Sequence, residues 1–382
     1  MHYIRLLRSP KLAGPAGNPH VELAFTITTD LGDSFLYPEE PLSLSISIHT
    51  SSAAGNLQWR YPSQLSWQSG MRIAKPKVGI PRPVQMALKA GHRVELTIGA
   101  EGDYQAAGVQ GIMRAADCGL VMPVWTCLHQ DGDGDVDVST RRISLGREGP
   151  LDGAYLEVEE EIGESIARHI WDAGVVAFCA VTTLFFPQTH ASPPVLQMPR
   201  LRETLTTNEP LNVIEIGCGV GILGIGFASV CAAPCTILLT DLEEAESRTR
   251  SNIARWQQQQ RSPTAAQLTY ENLDWEDGRE GRFGPQVCSR RWDVVMISDC
   301  TYNVDMLPAL VETLSALHVS NMSHSKHPSR VFLATKPRHE SERALFQLMD
   351  QHGWGTVEHQ VLPLPVLGAE AESVELYLFE KV

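Results

Sequence analysis

The sequence has no long apolar run. Its longest uncharged apolar stretch, Gly174 to Phe186, includes two Thr and stops well short of the ~20 residues a membrane helix needs. The opening residues, MHYIRLLRSPKLAG, lack an apolar core of signal-peptide length. Cysteine is sparse and unpatterned: none of the eight Cys forms a C-x-x-C pair. In a chain this size that reads as reduced thiols in an intracellular protein, with a cytoplasmic or nuclear location expected. Basic residues are outnumbered, 31 against 45 acidic, for a net charge of −14. Such a surface repels nucleic-acid phosphate and anionic membranes. It suits a basic protein partner, although many soluble enzymes are simply acidic. There is no internal repeat.

What remains is ordinary folded-protein composition, 43% hydrophobic and 20% charged, which excludes collagen-like, coiled-coil and disordered chains. The 382 residues suggest two domains at ~100–200 residues each. Residues 20–150 read as mostly β. HVELAFTITTD, PLSLSISIHT and HRVELTIGA alternate apolar and polar residues between turn signals. LQWRYPSQLSW adds three aromatics at strand-like spacing. No helical stripe of a dozen residues interrupts them. DGDGDVD at 131–137 resembles the start of a calcium loop, but Val136 and Arg142 occupy positions that need Gly and an acidic residue. It reads as a solvated acidic turn, and no metal is expected. GREGPLDG at 146–153 marks a boundary. The expected division is a β-rich N-terminal domain over 1–150 and a second domain over 151–382.

The second domain opens on Trp171-Asp172 and an apolar run suited to a buried helix, with Asp172 placed to cap it. A Pro- and Thr-rich loop follows over 187–210. Apolar strands then alternate with helices near 220, 243–258, 305–318 and 340–352, and VELYLFEKV closes the chain. That alternation predicts βαβ units and a doubly wound, mostly parallel α/β sheet.

The chemistry gathers at strand ends. Glu215-Ile216-Gly217-Cys218-Gly219-Val220-Gly221 follows the apolar strand LNVIEI. The glycines permit a tight turn and a close ligand approach. Gly219-x-Gly221-x-x-Gly224 also satisfies the dinucleotide fingerprint, a weak signal alone. Glu215 favours a methyl donor over NAD, because a carboxylate can hold an amino-acid end and repels a pyrophosphate. Asp241, ending TILLTD, can bond ribose hydroxyls. Trp275 could pack on adenine or simply pack the core, and Trp171 is equally open. Asp299 ends WDVVMISD three residues before Tyr302. It reads either as a crevice carboxylate or as a cap for the segment after Tyr302.

Together these segments resemble the seven-β-strand methyltransferases of methyltransferase family 16, the lysine methyltransferases with an Asp/Glu-x-x-Tyr motif. The resemblance covers roughly 155–382. It rests on Ile170–Ala173, Glu215–Gly221, Leu273-Asp274-Trp275, Ser298–Tyr302 and Lys336-Pro337-Arg338. It implies S-adenosylmethionine as cofactor, held by Trp171, Gly217, Cys218, Gly219, Asp241, Trp275 and Ser298, with Glu215 and Gly221 completing the loop. Asp299 and Tyr302 would serve the target amine of a protein substrate. Methyl transfer at a sulfonium carbon needs no metal; it needs a neutral, well-placed lysine nitrogen. Long loops and the extra N-terminal domain depart from the common core, which leaves the substrate open. Small-molecule or RNA methylation on the same site, or an inactive binding protein, are the competing readings.

Overall fold

A computed structural model describes residues 1–381, except 16, 53–54, 115–117, 129–137, 147–153, 164–165, 186–195, 261–264 and 325–328. The acidic turn at 131–137 and most of the 146–153 boundary lie outside the described residues. The chain divides into two units: Met1–Ser165 with Leu364–Ala371, and Ile166–Pro363 with Glu372–Val382.

The first unit is β-rich. Six strands form an ordered path, Tyr155–Glu161, Val138–Ser144, Val124–Cys127, Val94–Ala100, Leu42–Ser52 and Gly55–Arg60, with Leu65–Trp67 also on Leu42–Ser52. Alternation sets the buried face: Leu44, Ile46 and Ile48 are buried, and so are Leu96 and Ile98 on the neighbouring strand. Two three-stranded sheets complete the unit. The strand Tyr155–Glu161 pairs with Val138–Ser144, so the division falls after Ser165, beyond the expected position at 150. The helix Arg82–Lys89 was not anticipated; it starts with Pro81 and Pro83 and buries only Val84 and Leu88.

The second unit is a seven-stranded α/β sheet, and its strands are numbered here from its first. They are β1 (Leu211–Ile216), β2 (Cys235–Asp241), β3 (Ala266–Asn272), β4 (Val294–Ser298), β5 (Arg330–Thr335), β6 (Trp354–Leu364) and β7 (Glu372–Lys381). The order across the sheet is β3-β2-β1-β4-β5-β7-β6. Strands β1 to β5 pair in parallel and β7 joins β5 antiparallel. Parallel strands need crossovers. Helices supply them: α3 (Ile222–Val230), α4 (Glu243–Gln259), the short α5 (Trp275–Gly278), α6 (Leu307–His324) and α7 (Ala344–Gln351). Ahead of β1 come α1 (Asp172–Thr182) and α2 (Pro199–Leu205). The sheet order reverses at β1, where chains run outward to β2 on one side and β4 on the other. Open α/β sheets bind ligands at that switch point.

Every residue of α1 is buried, as its continuous apolar composition requires. Asp172, expected to cap α1, is instead its first helical residue. The cap position is Trp171, whose side chain makes no capping bond. The segment after α5 is held by Glu271, whose carboxylate accepts from the Gln286 and Val287 amides at 2.7 and 3.1 Å. Among the described residues no helix is long and apolar enough to cross a membrane.

Candidate active site

The glycine loop leaves β1 in a conformation that side chains resist. Gly217, Gly219 and Gly221 have φ of 65°, 53° and 85°, in the left-handed region that glycine enters without steric cost. A Cβ on Gly217 would also collide with Cys300 Sγ. Side chains from β2 and α4 fasten the loop. The Gly219 amide donates to Asp241 Oδ2 at 2.7 Å, and Thr249 Oγ1 donates to the Gly219 carbonyl at 2.5 Å. Asp241 Oδ1 accepts from the Leu242 amide at 2.7 Å. Burial pushes the Asp241 carboxyl up from its ordinary range, while the two amides pull it down.

A cavity of about 170 Å³ lies over this loop, at the carboxyl ends of β1, β2 and β4. Trp171, Gly217, Cys218, Gly219, Asp241, Trp275, Ser298, Asp299 and Tyr302 all line it. Trp275 is placed by Asp274, which caps α5 by accepting from the Glu276 amide at 2.9 Å. Three carboxylates, Asp241, Asp274 and Asp299, stand in the wall, and no Lys or Arg does among the described residues. Such a wall repels a pyrophosphate and favours a ligand bearing positive charge, such as a sulfonium. Its chemistry therefore fits S-adenosylmethionine and disfavours a dinucleotide.

Residues 150–352, just over half of the chain, match the lysine methyltransferase family. The chain belongs to that family. It is an S-adenosylmethionine-dependent methyltransferase. A UPF0665 family protein of Schizosaccharomyces pombe is 25% identical over 381 residues, covering 100% of this chain and 99% of the relative. TrmN from Thermus thermophilus matches with 16% identity and a TM-score of 0.32, over 50% of this chain and 49% of that one. This chain thus spans about half the length of that protein. A SAM-dependent methyltransferase from Methanosarcina mazei matches with 11% identity and a TM-score of 0.33, over 48% of this chain and 98% of that chain.

Two residues expected at the methyltransferase's cofactor stand outside the cavity wall. Gly221 starts α3, and a Cβ there would meet Ile225 and Leu239 instead. Glu215 is fully buried, and its Oε2 accepts from the Gly224 amide of α3 at 2.8 Å. The correction has a physical cause. Strand side chains alternate between faces, and Glu215 points toward α3, where Gly224 leaves it room. Burial pushes its carboxyl up to about 8, with the Gly224 amide opposing and the Asp241 charge reinforcing the rise.

The wall also holds residues that sequence reasoning missed: Ala167, His169, Asn303 and Met306. His169 directly precedes the Ile170–Ala173 motif and Asn303 follows Tyr302, so adjacency was the available signal. Cys218 and Cys300 also face the cavity, but burial drives both thiols well above their ordinary range. Neither is a nucleophile in that state.

Asp299 is the one described non-glycine residue with positive φ, at 53°. Its Oδ2 accepts from the Ala173 amide at 2.7 Å and its Oδ1 from Arg338 Nη1 at 2.8 Å. It does cap a helix, but the helix is α1, and the segment after Tyr302 is not the one it serves. Tyr302, by contrast, is 54% exposed at the cavity wall.

Proposed function

We propose that this methyltransferase modifies a lysine side chain of a protein. The observation that carries the reading is the cavity itself: acidic, free of Lys and Arg in its described wall, and bordered by the exposed Tyr302. S-adenosylmethionine supplies an electrophilic methyl group on a positively charged sulfur. Asp241 is positioned to accept from ribose hydroxyls, the open glycine loop to admit the ligand close to the backbone, and Trp275 to pack on a flat base.

The acceptor's problem is protonation, because a lysine amine is almost fully charged at pH 7. Carboxylates draw the ammonium in by its charge. Apolar lining then favours the neutral amine that can attack; here Trp171, Met306 and the Tyr302 ring contribute it. The Tyr302 hydroxyl accepts a hydrogen bond from that amine and fixes its direction. The first unit contains none of the donor residues, and we assign it selection of the protein substrate. The net charge of −14 suits a basic target.

Incubation with methyl-tritiated S-adenosylmethionine and a lysate tests the reading. Label should enter a protein band and be recovered as methyl-lysine after hydrolysis. Tyr302→Phe should lower that incorporation about tenfold or more without changing donor affinity. Label recovered in RNA or in a small metabolite would replace the lysine assignment with one of those acceptors.

A further inference from the structure

Asp299 sits where an acceptor base is expected, yet its carboxylate is already engaged. One oxygen receives the Ala173 amide at the start of α1, and the other receives Arg338. The Asp299 amide donates to the Ala334 carbonyl at 3.0 Å. One residue therefore joins β4, β5 and α1, and it does so from a left-handed backbone conformation that side chains other than glycine seldom adopt. The Arg338 guanidinium lies 5.6 Å from the centre of the Trp171 ring, a cation–π distance.

Two residues before Arg338, Lys336 also pairs with carboxylates. Its ammonium pairs with Asp172, the residue after Trp171, at 2.8 Å, and with Glu372 at 2.6 Å. The short segment Lys336-Pro337-Arg338 thus sets two cations against three carboxylates, one of them on Asp172, the residue after Trp171. Lys336 and Asp172 are both buried. Such pairs fix geometry more reliably than they add stability.

We propose that Asp299 and Arg338 form a positioning clamp that holds the Trp171 wall of the donor site, and that Asp299 does not take the acceptor's proton. The clamp rests on the cavity being the donor site but not on the identity of the acceptor. Arg338 becomes a residue of the donor site although it does not line the cavity. Asp299 resembles an acid–base group in sequence because the same carboxylate position, at the end of a central strand, serves both uses.

The test is isothermal titration of S-adenosylmethionine into the full-length parent, Arg338→Gln, Arg338→Lys and Asp299→Asn, with thermal melts confirming the fold. Donor titration needs no acceptor, so it reads the clamp whatever carries the label in the lysate assay. Asn tolerates a left-handed backbone and keeps an oxygen for the Ala173 amide, but its NH2 replaces the oxygen that accepts from Arg338 and from the Lys336 amide, so Asp299→Asn breaks the Arg338 side of the clamp. Arg338→Gln and Asp299→Asn should each weaken donor binding about tenfold, the scale of one charge-assisted contact. The double variant should be no worse than either single one, and Arg338→Lys should recover part of the loss. At saturating donor, the pH profile of label transfer by Asp299→Asn should keep the parent's shape from about pH 6.5 to 9, since no base has been removed. Unchanged donor affinity in Arg338→Gln overturns the clamp. So does an Asp299→Asn variant with parental donor affinity and a loss of about 10²-fold or more at saturation, because that is the signature of a lost general base. If Asp299→Asn does not fold, the two Arg338 variants still decide.

Discussion

The two units bury charge for opposite ends. In the first, Arg141 donates to Glu160 at 2.7 Å and to the Pro123 carbonyl at 2.9 Å. Arg142 bonds Glu157 and Glu95, both at 2.5 Å, and lies 4.2 Å from the centre of the Trp125 ring. Arg142 stands directly opposite Glu157 across the strand pair, where opposite charges stabilise a sheet. Each cation there has its carboxylate, and the result is a ladder. In the second unit the carboxylates Glu215, Asp241 and Asp299 collect at one edge, and Arg338 answers only Asp299, on the Trp171 side. Matched charge carries load; unmatched charge leaves bonding capacity for a ligand.

The largest break in that comparison is on the matched side. Arg141→Met should destabilise the first unit by about 3–5 kcal/mol, the usual result of removing one side of a buried ion pair, with Arg5 left as a more distant cation 3.7 Å from Glu160. Pairing it with Glu160→Leu should recover most of that loss, since two apolar side chains replace the ion pair. Denaturant melts followed by circular dichroism check both, and donor affinity of the folded protein should not change. A single Arg141→Met that unfolds at the parental midpoint would show that the ladder carries no load.

On the unmatched side, Gly219→Val should weaken donor binding by about 10²-fold, equivalent to about 3 kcal/mol. The added Cβ forces a φ of 53° on a β-branched residue and points it toward the Ala167 carbonyl at 3.4 Å. Calorimetry with S-adenosylmethionine measures the loss, and a melt shows that the sheet survives. Parental affinity in this variant would remove the loop from the donor site.

What could be read ahead of the structure divides along the same line. The glycine loop, Asp241 and the strand-helix alternation are each written in one contiguous stretch, so periodicity and spacing exposed them. The partners of Asp299 lie 126 and 39 residues away, and no local pattern contains that distance. Glu215 was misplaced because its spacing reveals the strand but not which face α3 occupies. Strand β6, WGTVEHQVLPL, escaped notice because an edge strand carries mixed polarity and a Pro near its end. The β-rich domain's last strand, YLEVEEE, has four Glu, of which Glu157, Glu159 and Glu160 are buried. The expected boundary at 150 assigned this strand to the second domain, whereas its pairing with Val138–Ser144, which carries Arg141 and Arg142, puts it in the first.

A smaller effect separates loop support from ligand contact. Asp241→Asn keeps the bond from the Gly219 amide through its oxygen but removes the charge facing the cavity and the oxygen that accepts from the Leu242 amide. Donor affinity should fall about tenfold, with the melting temperature close to the parent's. An equally large fall in stability would mean that Asp241 mainly braces the loop and contributes little to ligand binding.

A further expected effect concerns Glu215, the carboxylate that, among the described residues, neither pairs with a cation nor reaches the cavity wall. Its carboxyl is raised from an ordinary 4.5 to about 8, first by burial and then by the Asp241 charge, against the Gly224 amide. Between those two values the folded chain holds a proton that the unfolded chain has released. Its contribution to stability is therefore full below about pH 4.5 and is lost as pH rises through about 8. Glu215→Gln has nearly the same shape, keeps an oxygen for the Gly224 amide and never ionises. The variant should melt near the parent at pH 5 and above it at pH 9, with the gap widening as pH rises toward about 8. The paired acids of the first unit should show no such rise on neutralisation; Glu157→Gln should melt below the parent at both values. If the gap between Glu215→Gln and the parent stays constant across the range, Glu215 is ionised in the folded state, and a partner for it must exist on the α3 face.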